Sequence, residues 1–218
     1  GTNISGNSIL KLEPTEGTDY GIYVTGCDST VMIERNRIGN VGYTGTFGYG
    51  GHGISAEFNN GILIINNNEI FNMYGDGWDY TSFAYYDNPV GIFLDNSRGK
   101  VRIINNSVNL FGNTMNQDDA MSCGIFIGEY SDSVIILNNA VKNNLGAITG
   151  GNGETATGVY FSGSYDSMII LNYNNYWVNS LNTFSNNIAI FYDFNNIHYF
   201  ENLREWNSFS GKDLNSFN

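Results

Sequence analysis

Glu57 and Asp95 hold the same place in two successive copies of a short segment, Gly53-Ile54-Ser55-Ala56-Glu57 and Gly91-Ile92-Phe93-Leu94-Asp95. Stacked as neighbouring strands, their carboxylates would lie about 5 Å apart. Such a pair can hold Ca²⁺, or divide acid and base roles because each ionisation opposes the other. The alternative is two solvated side chains on a sheet face. Two residues before each carboxylate position runs a column of Tyr23, Ser55, Phe93, Phe126, Tyr160 and Phe191. Its flat apolar faces suit sugar stacking if open, and form a second small core if loops cover them.

The segment Met73 to Pro89 adds Asp76, Trp78, Asp79, Tyr80, Phe83, Tyr85, Tyr86 and Asp87. Aromatics interspersed with acids suit carbohydrate stacking and hydroxyl hydrogen bonding, or a Ca²⁺-stiffened loop; the same residues also pack a loop onto itself. The candidate sugar-binding set is Tyr23, Phe93, Phe126, Tyr160, Trp78, Tyr80, Tyr85 and Tyr86. The candidate Ca²⁺ ligands are Glu57, Asp95, Asp76 and Asp79. No other cofactor is called for. Asp118 and Asp119 follow in the next insertion and make this edge acidic.

Other signals are structural. His52 precedes a repeat glycine and is expected inside or under a loop. His198 has no Cys or His partners, so a zinc site is not expected. Gly150-Gly151-Asn152-Gly153 lacks the Lys-Ser/Thr of a phosphate loop, and no Gly-x-Ser-x-Gly elbow occurs. Cys27 and Cys123 fall three repeats apart, about 14 Å on stacked strands, too far for a disulfide. Both are expected as free thiols.

The elements that position these residues are repeats. Gly21-Ile22-Tyr23-Val24, Gly53-Ile54-Ser55-Ala56, Gly91-Ile92-Phe93-Leu94, Gly124-Ile125-Phe126-Ile127 and Gly158-Val159-Tyr160-Phe161 open five copies, with Ala189-Ile190-Phe191-Tyr192 a degenerate sixth. The starts differ by 32, 38, 33, 34 and 31 residues. A strand-like repeat of this period is a solenoid. After each opening comes a polar turn such as Ser97-Arg98-Gly99 or Tyr165-Asp166-Ser167. A second strand then follows, with Val31/Ile33, Leu63/Ile65, Val101/Ile103, Val134/Ile136 and Met168/Ile170 inward. Three residues on stand Asn36, Asn68, Asn106 and Asn139, with Asn174 reached by one inserted residue. Asparagine accepts left-handed backbone, and its amide both donates and accepts, so the five predict a stacked internal ladder. Ile38, Ile70, Val108, Val141 and Tyr176 mark a third strand.

Alternation along the first strand puts Ile22 and Val24, and so on to Ile190 and Tyr192, on the core side. The repeat glycines then face outward as a trough, with Thr25, Glu57, Asp95, Gly128, Ser162 and Asp193 as the last outward column. The long insertions, 42–50, 73–89, 112–122, 145–156 and 178–186, all join a third strand to the next first strand, so they form one wall along one edge of the first sheet. On the second strand Met32, Ile64, Ile135 and Ile169, broken by Arg102, form an outward apolar stripe.

The chain has 218 residues, 35 of them Asn, and a net charge of −12. That acidity excludes a nucleic-acid or anionic-membrane footprint, and no apolar run approaches the about 20 residues that span a bilayer. The aromatic and aliphatic content is ample for a core.

The Gly-Ile openings and asparagine corners resemble the right-handed parallel β-helix, pectate-lyase-like family. That resemblance covers essentially the whole chain. It implies an all-β solenoid of about six coils with three short strands each, residues 1–197 as the helix and 198–218 as a continuous C-terminal cap or tail. In that family the first sheet is the substrate cleft and an Arg base works beside Ca²⁺, which assigns Arg98 a catalytic role with Glu57 and Asp95. The end segments Leu171-Asn172-Tyr173-Asn174-Asn175-Tyr176-Trp177 and Trp206-Asn207-Ser208-Phe209-Ser210-Gly211-Lys212-Asp213 resemble the last coil and tail of secreted bacterial proteins. They imply a secreted or cell-surface multi-domain parent from which this is a piece. The expected function is carbohydrate binding on the first sheet and loop wall without catalysis, the partner being a polysaccharide or surface glycan beside the parent's other domains. The alternatives are a polysaccharide lyase or glycoside hydrolase in the same cleft, and a structural or adhesive spacer. Neither nucleic acid nor membrane insertion is expected.

Overall fold

The computed structural model describes residues 1–14, 16–82, 85–131, 133–150, 153–163 and 169–218, and the backbone alone of Ser82 and Tyr85. Phe83, the Tyr85 side chain, Gly151, Asn152, the Tyr165-Asp166-Ser167 turn and Met168 lie outside the described residues.

Strands β1 (Thr2–Ser5) and β2 (Ser8–Ile9) precede five three-strand coils. The first is β3 (Asp19–Thr25), β4 (Val31–Glu34) and β5 (Arg37–Gly42); the second is β6 (Gly51–Glu57), β7 (Leu63–Asn66) and β8 (Glu69–Tyr74). Then come β9 (Val90–Asp95), β10 (Lys100–Ile104) and β11 (Ser107–Met115), and β12 (Met121–Ile127), β13 (Ser133–Leu137) and β14 (Ala140–Ala147). The fifth is β15 (Thr155–Ser162), β16 (Ile170–Asn172) and β17 (Asn175–Val178). Equivalent strands pair in parallel, giving three stacked sheets: a parallel β-solenoid. The described helix is too short to cross a membrane.

Inside the coils the aliphatic ladders expected from the pattern close into one core, with Ile33, Ile65, Ile103 and Ile136 fully buried on the second sheet and Ile38 and Ile70 on the third. The asparagine ladder runs through the corner between them. Asn68 Oδ1 accepts both the backbone N–H and the side-chain amide of Asn36, each at 3.0 Å. Asn106, Asn139 and Asn174 repeat the same pair of bonds. Each Nδ2 also donates to a backbone carbonyl, as Asn106 does to Ile65 at 3.0 Å. The left-handed corner residue is the one before the ladder, namely Arg35, Asn67, Asn105, Asn138 and Tyr173, at φ 55–56°. The ladder asparagines are therefore selected for their amides and not for their backbone freedom.

Three alignments are corrected by the pairing. Ile135 pairs with Ile170 and Ile136 with Leu171, so Ile169 and Leu171 face inward, and Ile170, half exposed, continues the outer stripe. Asn174 then stands three residues after Leu171, as Asn139 does after Ile136, and the strand itself holds no inserted residue. In the sixth opening Val159 pairs with Ala189 and Phe161 with Phe191, one residue off the expected register. A slip of one exchanges faces, so Ala189 and Phe191 enter the core while Ile190, not Phe191, extends the outer column, and Tyr192, not Asp193, follows Ser162.

The third correction concerns the glycines. A Cβ added to Gly21, Gly53, Gly91 or Gly124 would overlap Ile38, Ile70, Val108 or Val141, side chains of the inner third sheet. The glycines therefore face inward and leave no trough. The residues before them, His52, Val90 and Cys123, face out, and the Ile after them faces in. Alternation breaks at one stacked position, where both Gly and Ile lie on the inner side, as in a bulge.

Strand β18 (Ser185–Tyr192) continues the first sheet, and β19 (Ile197–Phe200) adds to it antiparallel. Helix α1 (Leu203–Ser210), N-capped by Asn202 and ended by left-handed Gly211, seats Trp206 fully buried over the last coil. Asp213 ends the ladder by accepting from Asn174 Nδ2 at 3.0 Å, Trp206 Nε1 at 3.0 Å and the Tyr176 hydroxyl at 3.2 Å. Both cysteines are free.

Candidate functional site

The outward face of the first sheet is sealed. Phe93 and Phe126 stack at 4.7 Å and Phe126 and Tyr160 at 5.0 Å, and all three are fully buried with Val90, Met121, Cys123 and Ile190. Of the two outcomes open to this column, loops cover it. His52 continues the stack at 4.7 Å from Phe93, and Tyr20 meets it edge-on. Tyr80 covers Tyr160 edge-on and bonds the Tyr199 hydroxyl of β19 at 2.8 Å, joining the 73–89 insertion to the cap. Tyr23 alone in the column is half exposed.

Glu57 and Asp95 pair directly across β6 and β9, each under 10% exposed. Glu57 accepts from the Ser55 hydroxyl at 3.1 Å and the Tyr23 hydroxyl at 3.2 Å. Asp95 accepts from the Tyr86 hydroxyl at 2.8 Å, and burial raises its carboxyl above the usual range despite that bond. The two carboxylates are neighbours as an acid–base couple requires, but the Tyr23 and Tyr86 phenols and the Ser55 hydroxyl bond their oxygens. The Arg98 guanidinium lies 5.4 Å above the Tyr130 ring.

The other two proposed cation ligands are committed elsewhere. Asp76 accepts from the amides of Gly48 and Tyr49 at 2.9 and 2.8 Å and from Gln117 at 2.9 Å, pinning three insertions together. Asp79 bonds the Thr81 amide and hydroxyl beside it. Among the described residues no three His, Cys, Asp or Glu side chains converge as a cation site.

His52 is fully buried, its ring nitrogens make no well-formed hydrogen bond, and the backbones of Asn88 and Tyr86 nearby only partly offset the burial. Burial pushes the imidazole down to about 3. An unfolded chain binds that proton near pH 6.5. Stability from the neutral ring is therefore whole above about 6.5 and erodes as pH falls towards 3, by up to about 1.4 kcal/mol per unit. Raised carboxyls such as Asp95 act oppositely, their contribution being lost as pH rises. We predict that His52→Phe, which keeps the stack, loses less thermal stability than the parent between pH 7 and pH 4.5. Thermal denaturation at both values checks it, and parallel losses would contradict it.

What the insertions leave exposed lies on their own outer edge. Phe47, Trp78, Ile148, Leu181 and Phe184 are 42–76% exposed and come from four of the five insertions. Trp78 lies against Gly48, and Asn182 reaches the Ile148 carbonyl at 3.4 Å, so these residues group along the wall. A groove of about 680 Å³ flanks α1, and none of these wall residues lines it. Sequence reasoning placed Trp78 and Tyr86 in the wall but missed Phe47, Leu181 and Phe184, which sit outside the aromatic-rich run that drew attention.

No protein-family model matches this chain, and neither a curated protein nor a solved structure does.

Proposed function

We propose that the chain is a non-catalytic glycan-binding module of a secreted or cell-surface protein, binding through its loop wall and not through its first sheet. The observation that carries this reading is the reversal of exposure: the sheet aromatics are sealed, while Phe47, Trp78, Ile148, Leu181 and Phe184 stand open on the insertions. Exposed apolar residues grouped on the insertions of a rigid scaffold are the mark of an interaction surface. The pinned Asp76 frame supports it by holding that surface in one shape before any ligand arrives. Against catalysis stand the phenols and the Ser55 hydroxyl on Glu57 and Asp95 and the stacking of Arg98 on Tyr130.

The test is affinity electrophoresis through gels containing neutral or acidic polysaccharides. The parent is expected to be retarded by at least one polymer, and Phe47→Ser with Phe184→Ser, both fully on the surface, to lose that retardation at unchanged thermal midpoint. Equal retardation of parent and variant would overturn the loop-wall assignment. No retardation on any polymer would instead favour a spacer that binds nothing small.

A further inference from the structure

Between the two exposed groups of the wall lies a recess of about 360 Å³, lined by parts of the 42–50, 73–89, 112–122 and 145–156 insertions. The geometry points to this recess as the site of one neutral sugar unit, held end-on. This rests on the glycan-binding reading and names its location and ligand class.

Its size is at the lower end of the about 300–1,000 Å³ typical of small-molecule sites, which suits a terminal sugar and not a threaded polymer. Apart from Asp76, its lining is uncharged and rich in hydrogen-bonding groups. Thr44, Thr46, Asn113 and Asn116 line it, and their side chains enter no hydrogen bond among the described residues. Two hydroxyls and two amides supply donors and acceptors together, as adjacent sugar hydroxyls require. Tyr74, half-buried, adds aromatic surface for the C–H face of a ring, and Ile148 adds an exposed apolar group to the lining.

The frame is built to stay open. Asp76 is bonded to Gly48, Tyr49 and Gln117, its carbonyl takes the Asn116 amide at 2.9 Å, and Thr114 Oγ1 accepts the Gly75 amide at 3.3 Å. The one charged lining side chain is thus an acid already committed within the protein, in a chain of net charge −12. A carboxylated or sulfated sugar would meet like charge here.

The experiment is saturation-transfer NMR and calorimetry of the intact chain with methyl glycosides of glucose, galactose, mannose and N-acetylglucosamine, and with galacturonic acid. Asn116→Ala removes an amide and Thr44→Trp fills the mouth; both positions are exposed, and unchanged thermal midpoints would certify folding. At least one neutral glycoside is expected to saturate, to weaken about tenfold or more in each variant, and to outcompete galacturonic acid. If no neutral glycoside binds, or neither variant weakens binding, the inference fails. If the parent is still retarded by a polysaccharide in that case, the failure is of this site alone; if it is retarded by none, the glycan-binding reading falls with it.

Discussion

Asn106→Ala is expected to destabilise the chain by about 4 kcal/mol, among the largest losses a single substitution produces. Asn106 is 2% exposed. Its Oδ1 accepts the Asn68 backbone N–H and Asn68 amide, and its Nδ2 donates to the Ile65 carbonyl and Asn139 Oδ1, all at 3.0 Å. Alanine strands these partners in the core, and an unmet buried group costs about 1–3 kcal/mol. Asn139 Oδ1 keeps its bond from the Asn106 backbone, which moderates the sum. Asn7 is the contrast: an exposed end rung whose side chain only donates to Asn36. Asn7→Ala is expected to cost under about 1 kcal/mol. Denaturant unfolding of both variants measures the difference, and equal losses would show that the ladder does not stabilise the interior.

The second large effect is expected at Gly91. A Cβ there would overlap Val108 Cγ1 and stand 2.6 Å from the Gly124 carbonyl oxygen. The side chain can yield only by disturbing a close-packed core, and the carbonyl belongs to the paired strand and cannot yield without breaking register. Gly91→Ala is therefore expected to cost about 3 kcal/mol, the upper range for overpacking. Adding Val108→Ala removes one obstacle and leaves the other, so the double variant is expected to recover part of the loss. A neutral Gly91→Ala would mean that the glycines face outward after all.

The two cases also show what could be read in advance. The asparagine corners were legible because a buried amide at a fixed repeat has one economical use, stacking on its own copies. The aliphatic ladders were legible because period two survives in β4, β7 and β10. The glycine face was not legible: glycine has no side chain to declare a side, and the bulge that turns it inward is a property of the stacked strands together. The slips at Ile170 and Ala189 were missed because apolar runs such as Met168-Ile169-Ile170-Leu171 fit either register, and pairing with β13 and β15 decides.

The site divided in the same way. That Glu57 would meet Asp95 followed from the repeat, and the structure pairs them. That Tyr23, Ser55 and Tyr86 would occupy their oxygens did not follow, because Tyr86 arrives from an insertion with no repeat to fix it. The Asp213 end of the ladder was likewise hidden, since its aspartate replaces an asparagine only once. The open wall was invisible for a simpler reason: Phe47 and Phe184 read as ordinary apolar residues until their neighbours are in place.

The most direct test incubates the chain with acidic and neutral polysaccharides, with Ca²⁺ and with chelator. Bound protein, unsaturated ends by ultraviolet absorbance and reducing ends are then followed on the same samples. Protein is expected to be held on at least one polymer, with neither kind of new end above the protein-free control. Ca²⁺-dependent release of new ends that disappears in Glu57→Gln or Asp95→Asn would contradict it and return the first sheet to the role of a catalytic cleft.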